Sequence, residues 1–223
     1  MFQTFIYQPI LYTLQFIYQN LSGQDLGVAV ILLTLLIRVV LYPLFWKSSK
    51  DQVIMKKIQP EITEIQKDKK SSAQDKGERL MKVYKENKLN PFSSIIILIV
   101  QLPIFFALFK IFSQEISGGT FDNTSLLGLI DLRENGGILA LVAAALQYIQ
   151  VKLSMHKPAE GAVQGKFDPQ KFLLYAAPIL TIVVLWNLPK ALALYWAAMT
   201  VFTLLQQWYM ERKMKKNGSN NNK

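Results

Sequence analysis

The chain has 223 residues, 51% of them hydrophobic, with a formal net charge of +10 at pH 7 and no cysteine. The absence of cysteine excludes disulfides, thiolate metal sites and cysteine nucleophiles. The apolar residues are bunched into long runs, which indicates an integral membrane protein, so we expect the positive charge to mark membrane orientation and not direct nucleic-acid binding.

Residues 1–22 carry no charged side chain. Apolar residues recur there at helical spacing, whereas the glutamines fall elsewhere on the helical wheel; the apolar positions are Phe2, Phe5, Ile6, Ile10, Leu14, Ile17 and Leu21. This pattern predicts an amphipathic helix that lies along the outer membrane interface. A cleaved signal peptide fits poorly, because a basic start and a small-residue cleavage site are missing.

Five segments have the length and apolarity of spanning helices. They are residues 23–46, with the apolar run starting near residue 27, and residues 92–112, 136–152, 172–189 and 191–210. The fold class expected is therefore an all-α membrane protein with five transmembrane helices.

Arg38 lies near the middle of the first apolar run. A cation at that depth costs from about 2.5 to more than 10 kcal/mol if it faces lipid, so it must face protein or trapped water. The apolar runs of the five spans contain no Asp or Glu, which leaves Arg38 without a buried counter-ion from these helices. A hydrated or substrate-facing cation is the interpretation we favour over a structural salt bridge.

Residues 47–91 form the largest polar segment and are predicted to be a two-helix hairpin. Ile54, Ile58, Ile62 and Ile65 repeat at helical spacing, and a second apolar series follows the polar break at 69–72. Ser72 and Asp75 resemble a capping box at the start of the second helix. Pro60 is expected to kink or restart the first helix.

The basic residues indicate the orientation. Of the 25 Lys and Arg residues, 21 fall in segment 47–91, in the loop 153–171 with the adjoining Lys152, and in the tail 211–223. These segments are therefore predicted to be cytoplasmic, with the N-terminus and the loop 113–135 outside. The basic tail 211–223 is expected to be disordered from its composition.

Polar residues inside the predicted spans are the candidate site. At 1.5 Å per residue, Arg38 lies about 12 Å, Gln101 about 14 Å and Gln206 about 6 Å from the cytoplasmic ends of their helices. Thr34 shares a helix face with Arg38, and Tyr195 and Trp196 lie further out. A water-filled cavity that opens to the cytoplasm would satisfy the hydrogen-bonding needs of all these side chains. The alternative for any one Gln or Thr is a purely structural hydrogen bond between helices.

Enzymatic chemistry is not expected. The sequence offers no Ser-His-acid set, no metal cluster and no Gly-rich nucleotide loop, and its single histidine, His156, lies in a polar loop. We therefore expect neither a catalytic residue nor a metal or other cofactor.

Five stretches, in order, resemble the YidC insertase family, which has mitochondrial and chloroplast relatives. They are TLLIRVVLYPL (34–44), MKKIQPE (55–61), YKENKLNP (84–91), QLPIF (101–105) and LYW (194–196) followed by QQ at 206–207. The resemblance covers residues 5–213. It implies a five-helix core with a polar groove that faces the cytoplasm, and it assigns Arg38, Thr34, Gln101, Tyr195 and Trp196 to that groove.

The resemblance also implies a function. Family members insert and fold membrane proteins, alone or beside the Sec translocon, so nascent membrane proteins and the lipid bilayer are the expected partners. The Sec translocon, the ribosome and the signal recognition particle are further candidate partners, and the expected location is the bacterial plasma (inner) membrane. Two alternatives remain: a small transporter or channel subunit that binds an anionic solute at Arg38, and a passive assembly chaperone that does not translocate.

Overall fold

Helices make up most of the structure, a computed structural model that describes residues 1–68, 70–90, 93–116, 118–154 and 169–220. A π-helical turn, Gln3–Tyr7, opens the chain, and two short strands lie between the helices. In chain order the elements are α1 (Gln8–Asn20), α2 (Leu26–Val40), α3 (Tyr42–Lys67), α4 (Ala73–Glu86), α5 (Ser93–Gln114), β1 (Ser125–Leu126), β2 (Ile130–Asp131), α6 (Gly137–Ser154), α7 (Pro169–Trp186) and α8 (Lys190–Asn220).

The N-terminal helix buries a face that the sequence pattern predicted only in part. The buried positions are Tyr7, Leu11, Leu14, Ile17 and Tyr18. Phe5 and Leu21, which the prediction placed on that face, are 75% and 62% exposed. The π-helical turn accounts for Phe5, because its wider turn shifts the phase of a 3.6-residue pattern. Leu21 lies beyond the end of α1. That this helix follows a membrane interface stays a prediction.

A bend of 76° separates α2 from α3. The predicted first span, 23–46, therefore differs from the structure, because α2 ends at Val40 and the last residues of the predicted span belong to α3. Pro43, in the first turn of α3, supplies the reason. Proline has no N–H for the intrahelical bond, and its ring clashes with the carbonyl four residues back, so α2 cannot continue straight through it.

The predicted two-helix hairpin is present as α3 and α4. Its apolar seam consists of Ile58, Ile62, Ile65, Val83 and Leu89. The capping box also forms, since the amide of Asp75 donates to Ser72 Oγ at 3.1 Å and the amide of Ser72 donates to Asp75 Oδ2 at 3.2 Å. Of the two alternatives expected at Pro60, the restart is wrong, because α3 continues through it to Lys67, whereas the kink stays a prediction. Packing along the seam on both sides of the proline holds the helix together.

The main core joins α1, α2, α5, α6 and α8. Its largest fully buried side chains include Leu14, Leu33, Phe112, Leu192 and Tyr195. α8 is the longest helix and continues past the predicted span end at residue 210 to Asn220. The disordered tail expected from residue 211 is thus wrong up to Asn220, because extending an existing helix needs no new nucleus. Residues 221–223 lie outside the described residues, as does the predicted loop from residue 155 to 168.

The predicted external loop, 113–135, contains a β-hairpin that the sequence pattern did not reveal. β1 and β2 pair antiparallel with Ser125 opposite Asp131. Three residues, 127–129, connect the strands. Leu127 (φ 51°) and Gly128 (φ 69°) adopt the left-handed conformation, and the amide of Leu129 closes the turn by donating to the carbonyl oxygen of Leu126 at 2.9 Å. We call this part of the molecule, with the neighbouring residues 18–28, 136 and 185–190, the β-hairpin end.

Within the described residues, no single helix is both long enough and apolar enough to cross a bilayer. The pair α2 and α3 meets the requirement jointly, across its bend. Shorter apolar helical stretches run over Ile99–Gln114, Gly137–Leu153 and Leu174–Trp186. The five predicted spans and their orientation therefore stay predictions.

Candidate binding site around Arg38

The Arg38 side chain is buried against α8 and is only 8% exposed. Its Nη2 donates to the carbonyl oxygen of Met199 at 2.8 Å and to the hydroxyl of Thr203. The ring of Phe45 covers the guanidinium, with 4.0 Å between Cζ and the ring centroid. No ion pair links Arg38 to a carboxylate of the described residues. That Arg38 is hydrated or faces a substrate stays a prediction.

Thr34 lies one helical turn from Arg38 and is 1% exposed. Its hydroxyl donates to the carbonyl oxygen of Val30 at 2.7 Å. Thr34 thus satisfies its own hydrogen-bonding need within α2, as threonine often does inside a helix. It lines the helix face that carries Arg38 without a direct hydrogen bond to it.

Gln101 and Tyr195, both predicted site residues, meet across α5 and α8. Gln101 Nε2 donates to the hydroxyl oxygen of Tyr195 over 2.5 Å. Tyr195 is 1% exposed. Gln101 on α5 and Tyr195 on α8 thus share one polar contact, whereas a single groove that also contains Arg38 stays a prediction.

Trp196 belongs to a neighbouring polar contact. Its Nε1 donates to Gln147 Oε1 at 3.3 Å, and the hydroxyl of Thr181 donates to the same oxygen. Phe105 packs edge-on against the Trp196 ring, with 5.9 Å between centroids. Gln147 and Thr181 were missed, although each is a polar residue inside an apolar run, the signal that identified Gln101.

Three buried polar atoms have no hydrogen-bond partner within the described residues: Arg38 Nε, Asp51 Oδ2 and Gln206 Nε2. Buried groups of this kind are almost always satisfied in folded proteins, by protein, water or a ligand. Gln206 was predicted as a site residue from its depth, and that role stays a prediction. Asp51, which is 6% exposed, was missed because it lies in the segment assigned to the hairpin.

Phe45 and Thr203 were also missed. Phe45 looked like an apolar residue of the first span, and only the bend after α2 brings its ring over Arg38. Thr203 is separated from Arg38 by 165 residues along the chain. Across the described ranges, no group of three or more His, Asp or Glu side chains is placed to hold a metal ion.

Comparison with known proteins gives consistent matches. A family model described as 60Kd inner membrane protein matches residues 16–217. A membrane protein insertase YidC of Geobacter sulfurreducens is 29% identical over 212 residues, which cover 93% of this chain and 37% of the relative. One from Magnetococcus marinus is 33% identical over 215 residues, which cover 94% of this chain and 36% of the relative.

A solved structure matches as well. The crystal structure of an active YidC insertase with its first transmembrane domain resolved has a TM-score of 0.66 and 26% identity to this chain. The match covers 91% of this chain and 46% of that one. The chain therefore spans less than half the length of each of these proteins.

Proposed function

Because this chain belongs to the 60Kd inner membrane protein family, the family of the YidC insertases, we propose that it inserts membrane proteins into the bilayer. Membership places it among bacterial inner-membrane proteins whose relatives are insertases. The substrates would be nascent membrane proteins with a short polar tail and an apolar segment. The chain would move the tail from the cytoplasm into the membrane and chaperone the apolar segment, without enzymatic chemistry.

The observation that carries this proposal is the environment of Arg38. The guanidinium is buried, lacks a described carboxylate partner and retains an N–H without an acceptor. A buried cation in this state lowers the stability of the fold, and replacing buried charged groups by well-packed apolar residues is often neutral or stabilising. A carboxylate on an incoming tail supplies what is missing, a negative charge and a hydrogen-bond acceptor.

The physics of insertion fits such a site. A polar tail faces about 30 Å of hydrocarbon, where unsatisfied polar groups cost several kcal/mol each. A hydrophilic groove that contains Arg38, Thr34, Gln101, Tyr195, Trp196 and Gln206 would shorten the dry part of that path. The attraction between Arg38 and a carboxylate is stronger there than in water, because the dielectric constant is low. The apolar segment then leaves into lipid as its surface is removed from water.

The proposed orientation has the N-terminus outside and the α3–α4 hairpin, the basic loop and the C-terminus in the cytoplasm. The hairpin would then meet partners such as the Sec translocon, the ribosome or the signal recognition particle. A cleft of about 340 Å³ between its helices is lined by charged and apolar side chains, among them Glu61, Glu64, Arg79, Lys82 and Glu86. Deletion of residues 50–88 tests this role. If substrate insertion is unchanged by the deletion, the hairpin is not needed to meet a partner.

The charge of Arg38 is tested by comparing Arg38→Lys with Arg38→Ala. The assay uses liposomes that contain only this protein, and a single-span substrate with an acidic tail whose protection from protease is measured. We expect Lys to retain most of the activity and Ala to lose about tenfold or more, because only Lys keeps a cation for the tail.

A substrate whose tail carboxylates are replaced by amides is the matched control. With that substrate the gap between the Lys and Ala variants should close. Equal protection of the acidic tail by the Ala variant and the wild type would contradict the charge role. Folding of the apolar segment without protection of any tail would favour a passive chaperone.

A further inference from the structure

We propose that the first half of α3, residues 42–56, is a movable cover that closes the approach to Arg38. The Phe45 ring is its plug, and Lys56 fastens it to the rest of the molecule. The inference rests on the proposed function, because it defines how a substrate tail gains access to the site. Its test measures how accessible a site next to Arg38 is to a reagent in water, and the result does not depend on insertion activity.

The plug follows from the bend between α2 and α3. Phe45 is 7% exposed and its ring lies 4.0 Å from Arg38 Cζ. The carbonyl of Met199 and the hydroxyl of Thr203 take the Nη2 protons. A tail carboxylate therefore cannot stack on or bridge to the guanidinium from the Phe45 side while the ring stays in place.

Several polar side chains are buried on α3 and on α8, the helix that packs against it. Ser48 and Ser49 are buried on α3, 1% and 6% exposed. Asp51 Oδ2 on α3 and Gln206 Nε2 on α8 are buried without a partner among the described residues. Separation of the two helices exposes such groups to water, which satisfies them, whereas opening an apolar core would expose surface that water disfavours.

Lys56 fastens the cover at its far end. Its Nζ donates to the carbonyl oxygen of Leu153 on α6 at 2.9 Å and to Glu211 Oε1 on α8 at 3.1 Å. One side chain thus joins three helices. The side chains of Lys56 and Glu211 are 36% and 31% exposed, and an ion pair this accessible contributes little on average. The fastening is therefore weak enough to be released by a modest competing interaction.

The absence of native cysteine makes the cover testable with a single introduced thiol. Thr34→Cys places that thiol at a position that is 1% exposed and one turn from Arg38. Its reaction with a charged, membrane-impermeant thiosulfonate reagent is followed in liposomes with reagent on both sides. We expect slow labelling in this variant. Labelling should be about tenfold faster or more when Phe45→Ala is added, and faster by up to about fivefold when Glu211→Gln is added, because each shifts the population toward the open state and an exposed ion pair contributes little.

Two reference variants calibrate the rates. Gly77→Cys gives the fast limit, because Gly77 is exposed on α4 with no atom within 4 Å of an added Cβ. Phe16→Ala, combined with Thr34→Cys, removes an aromatic ring that is 59% exposed on α1 and should leave the labelling rate unchanged. The cover is refuted if Thr34→Cys alone reacts as fast as Gly77→Cys. It is also refuted if Phe45→Ala and Glu211→Gln both leave the rate unchanged.

A second experiment locks the cover within one protein. Lys56→Cys with Glu211→Cys provides two thiols that a short bismaleimide can join, and the same protein without the reagent is the control. Bridging should abolish tail protection if the cover must open. If the substrate tail is protected from protease equally before and after bridging, the cover is refuted. If Phe45→Ala speeds the labelling of Thr34→Cys but the wild-type chain inserts no substrate, the cover is retained and the proposed function is refuted.

Discussion

The β-hairpin end and the Arg38 end of the molecule satisfy their polar groups differently. At the β-hairpin end, Asp25 Oδ1 accepts from the amide of Val28 at 2.8 Å and Oδ2 from the amide of Leu127 at 2.6 Å. The hydroxyl of Tyr18 likewise accepts from the amide of Asn123 at 2.8 Å. The Arg38 end, by which we mean Arg38 with residues 42–56 of α3 and residues 196–211 of α8, contains by contrast the three buried side-chain atoms that lack a partner in the described part of the chain.

The difference separates a closed end from an adaptable one. Fully satisfied polar networks rigidify a structure, whereas partly satisfied ones leave capacity for water or a ligand. Close backbone approaches reinforce the closed end, since a Cβ on Gly27 would lie 2.5 Å from Leu126 Cβ. Substitutions at the β-hairpin end should therefore lower stability, and polar-to-apolar substitutions at the Arg38 end should not.

The largest effect is expected from Gly136→Ala. An added Cβ would lie 2.1 Å from the carbonyl oxygen of Leu185, and the backbone of Gly136 is held by a hydrogen bond from its amide to Leu188 O at 2.8 Å. The clash with backbone should lower the free energy of unfolding by about 3 kcal/mol. Unfolding is measured by circular dichroism in mixed detergent micelles. Gly77→Ala, in open space on α4, is the control and should be neutral or stabilising by up to about 1 kcal/mol.

Asp25→Ala should cost about 2 kcal/mol in the same assay, because it removes the N-cap of α2 together with a charge-assisted bond to the β-hairpin. Asp25→Asn is the matched variant and should cost less, since its amide oxygen still accepts one of the two bonds. A loss confined to the helix cap, with the backbone amide of Leu127 equally protected from hydrogen exchange in the variant and the wild type, would contradict the link between the two elements.

Gln206→Leu tests the Arg38 end. Its Nε2 is buried without a partner among the described residues, so replacement by an apolar side chain of similar size should raise stability by about 1 kcal/mol. Gln147→Leu is the contrasting variant, because Gln147 Oε1 accepts from Trp196 and Thr181, and it should lower stability by about 1 kcal/mol. Equal destabilisation by both variants would contradict the distinction between buried polar groups that have a hydrogen-bond partner and those that lack one.

The smallest effect is expected from Tyr7→Phe. Burial, with the hydrogen bond from the Tyr7 hydroxyl to Glu115 Oε1 at 2.7 Å, raises the pKa of Tyr7 to about 12. The raised pKa means that neutral Tyr7 stabilises the fold fully below its unfolded pKa of about 10, and that this contribution is lost as the pH rises through about 12. The variant should lose about 1 kcal/mol at neutral pH, and the difference from wild type should shrink between these values.

Phenolate absorbance and unfolding are recorded together over that pH range. Tyr12→Phe, at a position 62% exposed on α1, is the control and should change stability little at neutral pH. A constant stability difference between Tyr7→Phe and wild type across the whole range would contradict the role of the neutral hydroxyl.

Much of the architecture was accessible from the sequence. The hairpin seam and the Ser72–Asp75 capping box were predicted because they depend on neighbours within a few turns of helix. The depths of Arg38 and Gln101 could be estimated from the sequence, since depth along a helix is fixed by residue count, whereas a groove that they share with Tyr195 stays a prediction. The bend after Val40 was missed, although Pro43 was visible in the sequence, because the apolar run continues through it.

The sequence by itself determined that this protein is helical and apolar, with a buried arginine that its predicted spans leave without a counter-ion. Composition and short-range spacing are enough for those conclusions. Only the tertiary structure decided what surrounds Arg38, because its contact with Met199 spans 161 residues of chain. Tertiary packing also decided three further features. They are which face of the N-terminal helix is buried, the packing of the β-hairpin on Gly27, and the position of the Phe45 ring over Arg38.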